Sequence, residues 1–78
     1  MGKTELYRQL REKEEQARMY YESARGNSKN PLKYPNPKTA EEQQRYFKLM
    51  TKADDEAKAI RRAIAKLDEE ESKNNNDK

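Results

Sequence analysis

The sequence predicts an all-α fold: an antiparallel, coiled-coil-like hairpin of two helices, completed into a four-helix bundle by dimerisation or by a partner. Three observations carry this expectation. Tyr46, Met50, Ala53, Ala57, Ile60, Ile64 and Leu67 recur at alternating spacings of four and three, the period of a helix with one apolar seam. Leu6, Leu10, Lys13, Ala17, Tyr20 and Ala24 repeat that spacing upstream. The stretch between them holds all 3 prolines, which favour turn or extended backbone.

The elements follow in chain order. The first helix is expected from about Glu5 to Arg25, with Thr4 as N-cap and Gly26 as the stop. Lys13 interrupts its seam, and its apolar content concentrates in the C-terminal half around Met19, Tyr20 and Tyr21. Residues 26–38 form a basic loop with Lys29, Lys33, Lys38 and no acid, in which Asn30-Pro31 and Asn36-Pro37 initiate turns. The second helix is expected from about Ala40 to Glu70. Thr39-Ala40-Glu41-Glu42 reads as a capping box, Thr39 and Glu42 each satisfying the other's end of the first turn. Glu69, Glu70 and Glu71 stand at the negative end of the helix dipole, which predicts fraying there, and 72–78 reads as a disordered tail.

Folding the two helices back to back brings Tyr20, Tyr21 and Ala24 near Tyr46, Phe47 and Met50, with Leu32 and Tyr34 closing over that end. At ~1.5 Å per residue the helices are about 31 and about 46 Å long. The second therefore overhangs, which leaves Ile60, Ile64 and Leu67 for self-association. At 78 residues, with 31% hydrophobic and 42% charged residues, a hairpin rich in alanine buries little by itself, so a homodimer or a larger protein partner is expected.

Composition also bounds the chemistry. The chain has no cysteine and no histidine, so it lacks thiolate ligands and the commonest general base. Ser23, Ser28 and Ser72 have no histidine to activate them. Asp54-Asp55-Glu56 cannot converge on one ion, because consecutive helical residues point ~100° apart. The only glycines are Gly2 and Gly26, too few for a phosphate-cradling loop. The expectation is a chain without enzymatic activity, cofactor, metal or small-molecule substrate. No apolar run approaches the ~20 residues of a membrane span, and the N-terminal residues lack the apolar core of a signal peptide, so a cytoplasmic protein is expected. Leu6 stands where a myristoylation motif at Gly2 would place Ser or Thr.

Two surfaces remain as candidates. The first is an aromatic pole, Tyr21, Tyr34 and Phe47, with Tyr34 bracketed by prolines and offered to a protein partner. The second is a basic face of Arg11, Arg18 and Arg25 on the first helix with Arg45, Lys48, Lys52, Lys58, Arg62 and Lys66 on the second, where Asp55 and Glu69 interrupt it. Against that face, Glu14→Arg18, Glu41→Arg45 and Asp54→Lys58 are spaced to neutralise one another within a helix. The function expected first is a small non-catalytic adaptor or inhibitor, of a kind encoded by bacteriophages or mobile elements, acting on a host protein complex. A nonspecific nucleic-acid-binding accessory protein and a structural subunit of a filament or virion are the alternatives.

Overall fold

The computed structural model describes residues 2–76, with side chains described through Ser72. The chain is an all-α helical hairpin: α1 spans Lys3–Ala24 and α2 spans Ala40–Asn76, packed antiparallel. The molecule measures 60 × 19 × 16 Å, and its radius of gyration of 16.9 Å far exceeds the ~12 Å of a compact globule of this length.

The loop end shows why α1 stops where it does. Gly26 takes φ +80, Gly26 N–H donates to the Ser23 carbonyl at 2.9 Å, and Asn27 N–H donates to the Glu22 carbonyl at 2.8 Å. This is a Schellman closure with glycine at the left-handed position. The other end of α1 departs from expectation. Gly2, not Thr4, is the N-cap, and it makes no side-chain cap. Lys3 is drawn into the first turn because its ammonium reaches across to Asp68 and Glu71 of α2.

At the start of α2, Thr39 Oγ1 accepts from Glu42 N–H at 3.1 Å. The reciprocal half of the box slips by one residue, since the Glu42 carboxylate accepts from Lys38 N–H at 2.8 Å. α2 then runs past the expected end at Glu70. Each further residue adds a backbone bond to an existing helix at little cost, and the Lys3 bridge ties Glu71 down. The expected tail, 72–78, falls within this helical backbone through Asn76; residues 77 and 78 lie outside the described residues.

The core is thin. Ala24, Ala53, Ala57, Ile64 and Tyr34 are its buried apolar residues, joined by Ser23 at 0% exposure. Leu6, Leu10, Met19, Tyr20, Tyr46, Leu49, Met50, Ile60 and Leu67 are half-buried. Small alanines along the α2 seam let the backbones approach but supply little apolar area. The overhang predicted from helix lengths does not leave Ile64 free: with Lys3 beside Glu71, α1 covers the seam to its end, and Ile64 is 6% exposed. The segment of α2 beyond that point, from Ser72, is polar in sequence.

Candidate functional site

Ionic pairs set the register of the hairpin. Lys13, the break in the α1 seam, reaches Glu56 at 2.8 Å, and Arg61 reaches Glu14 at 2.6 Å. With Lys3 to Asp68 and Glu71, these three cross-links tie the N-terminal half of α1, from Lys3 to Glu14, to α2. Hydrogen bonding from Lys13 holds the Glu56 carboxyl below the ordinary carboxylate range, and Glu56 in turn raises Lys13. Lys3 is raised most of the three, by its hydrogen bonds to Asp68 and Glu71. Exposed pairs of this kind are individually weak. Their joint effect is positional, because a shift of register would separate all of them together.

The loop is anchored by a residue that sequence reasoning passed over. Ser23 is wholly buried, and its hydroxyl donates to the Pro35 carbonyl at 2.5 Å, with the Tyr34 carbonyl at 3.4 Å. Tyr34 consequently turns inward. It is 9% exposed, its ring meets Tyr20 edge-on at 5.3 Å, and the Lys33 ammonium sits 5.6 Å from its centroid. Tyr20 stacks on Tyr46 at 6.4 Å, completing a three-ring cluster across both helices and the loop. Tyr34 is thus a packing residue and not a side chain offered by the loop. Leu32, expected to close over the same end, points away instead and is 99% exposed: Asn30 accepts from both Lys33 N–H and Tyr34 N–H, so the backbone turns there and only the tyrosine faces inward.

The other two members of the aromatic pole remain accessible. Tyr21 is 40% and Phe47 37% exposed. Tyr21 lines a groove between the helices together with Ala17, Arg18, Met50, Thr51, Asp54 and Lys58. Phe47 stands one turn before Thr51, whose hydroxyl donates to the Phe47 carbonyl, and so lies on the same flank. The Arg25 guanidinium covers the Tyr21 ring at 5.4 Å.

The single basic face read from sequence is divided in two. Arg11, Arg18 and Arg25 are exposed on the α1 side, Arg18 at the edge of the groove beside Tyr21, whereas Arg45, Lys48, Arg62 and Lys66 are exposed on α2 and Lys52 borders a second groove beside Gln16 and Tyr20. The α1 set is also partly engaged. Arg18 pairs with Glu15 at 2.6 Å, not with Glu14, because Glu14 has crossed to Arg61; Arg25 lies over Tyr21. On α2, Lys58 pairs with Asp54 at 3.5 Å as its spacing predicts. Arg45, Lys48, Lys52, Arg62 and Lys66 are exposed, and among the described residues none of them makes an ion pair.

Among the described residues, no group of carboxylates is arranged to hold a metal ion, and no helix is long and apolar enough to cross a membrane. No family model, curated protein or solved structure matches the chain. The functional reading therefore rests on the surface chemistry of the hairpin.

Proposed function

We propose that this chain is a non-catalytic protein-binding hairpin, an adaptor or inhibitor that works by occupying the surface of a larger protein. The observation that carries the reading is the Tyr21–Phe47 flank. Two aromatic side chains stay more than a third exposed beside the half-buried Met50, with an arginine held over one ring. Tyrosine, phenylalanine and arginine brought together in this way are the residues from which the buried centres of protein interfaces are built, since they add area with few rotatable bonds. The thin core supports the same reading, because a partner seated on this flank would cover seam residues that the hairpin leaves half-exposed. Charges around the groove, Arg18 and Lys58 against Asp54 and Asp55, would form a polar rim that steers encounter more than it deepens affinity.

The test is capture from nuclease-treated cell lysate by the wild-type chain, compared with Tyr21→Ala and Phe47→Ala. Light scattering of the purified chain runs beside it. A stoichiometric protein captured by the wild type and lost with either variant, at unchanged helicity, supports the reading. Capture that is indifferent to both variants overturns it, as does a chain that assembles only with copies of itself.

A further inference from the structure

We propose that the outer face of α2 is a docking surface for the phosphate backbone of double-stranded nucleic acid, a second capacity on a face that adjoins the aromatic flank at Asp55. It arises from how the fold distributes its charges. Glu14, Glu56, Asp68 and Glu71 are drawn to the interhelical seams and neutralised there by Arg61, Lys13 and Lys3. The net charge of +3 is therefore not spread evenly. Arg45, Lys48, Lys52, Arg62 and Lys66 follow one another along α2 at spacings of three, four, ten and four, all exposed and none in an ion pair among the described residues, with Glu41 before the first of them and Glu69 and Glu70 after the last. The helix holds them rigidly over about 31 Å.

The line has a gap at its middle. Asp55 and Ala59 occupy the two positions between Lys52 and Arg62, so the basic residues form two clusters about 15 Å apart along the axis. That separation is close to the ~12 Å width of the major groove of B-form DNA. A helix laid across the groove would bring one cluster to each phosphate ridge and leave Asp55 above the open groove, where no phosphate opposes it. Single strands fit less well. They are held by aromatic stacking platforms, and this line carries none, Phe47 being on another flank. In this placement the arginines and lysines stand at the phosphate ridges and not over the base edges, so the contact is with backbone and independent of sequence.

The experiment is fluorescence anisotropy of a labelled random-sequence DNA duplex titrated with the full chain at low and moderate salt. With four to five phosphate contacts, affinity falls roughly 150- to 500-fold between 50 and 200 mM salt. Lys48→Glu/Lys52→Glu and Arg62→Glu/Lys66→Glu each abolish binding, while Arg11→Glu/Arg18→Glu, on the other helix, changes it by less than about threefold. Tyr21→Ala and Phe47→Ala leave it unchanged, so this proposal and the protein-binding reading fail separately. Circular dichroism of every variant excludes loss of fold, and the salt slope of the wild type stands without any variant. Absence of binding at low salt overturns the proposal. So does equal sensitivity to the Arg11/Arg18 pair, or tighter binding of the single strand. Competition by polyglutamate as effective as by duplex would assign the stripe to an acidic protein instead.

Discussion

Ser23 and Gly26 decide the geometry of the loop end through different physics. Ser23 lies in a space with no solvent exposure and satisfies a carbonyl contributed by proline-flanked backbone. Ser23→Ala removes the only side-chain donor described for the Pro35 carbonyl and is expected to cost about 1–3 kcal/mol, read as a lower urea midpoint. Gly26→Ala meets no atom within 4 Å, so its cost is wholly conformational. Placing a β-carbon at φ +80 is expected to cost about 1–2 kcal/mol, with the helix content otherwise unchanged. Both residues were visible in the sequence, but only Gly26 carried a signal there. A serine facing the interior has the same spelling as one facing water, and its acceptor lies on backbone 12 residues away.

At the scale of the helices, the pairing of α1 with α2 is an apolar seam fixed in register by ions. Ile64 is the test of how far α1 reaches. If it were overhanging and exposed, Ile64→Ala would be nearly silent; buried at 6% exposure, it is expected to cost about 2 kcal/mol or more and to lower the melting temperature sharply. The Lys13–Glu56 bridge adds a pH dependence whose sign follows from its shifts. Glu56 is lowered in the folded chain, so its contribution is present above the ordinary value of 4.5 and is lost as pH falls through the depressed one. Lys13 is raised, so its contribution is present below 10.5 and is lost as pH rises through the raised value. Lys13→Met is expected to shrink the drop in melting temperature between pH 7 and pH 3 relative to the wild type, a difference that scanning calorimetry reads directly. The seam spacing announced which helix faces meet. It could not announce that the interrupting lysine would find a carboxylate across the interface, because either helix taken alone leaves that lysine unpartnered.

The whole molecule is a rod with an aromatic flank, a loop end where the chain folds back through Tyr34, and a highly charged outer side of α2. Its shape follows from two helices joined by one loop with no third layer to compact them. Solution scattering of the monomer is expected to give a radius of gyration near the 16.9 Å of the hairpin, and a four-helix assembly would be recognised by its doubled mass at nearly the same length.

Helical period, the proline-rich break, the glycine stop and the threonine cap are local signals, and from them the sequence alone determined an all-α hairpin, its approximate boundaries and which residues form its seams. The absence of histidine and cysteine likewise limited the chemistry before any fold was known. Tertiary structure decided what depends on atoms far apart in the chain. It turned Tyr34 inward and Leu32 outward, it covered Ile64 with α1, and it consumed the seam acids in bridges. It also separated the arginines of α1 from the basic line of α2. Charge composition adds all of these residues together, whereas two helices packed face to face must send their outer sides in opposite directions.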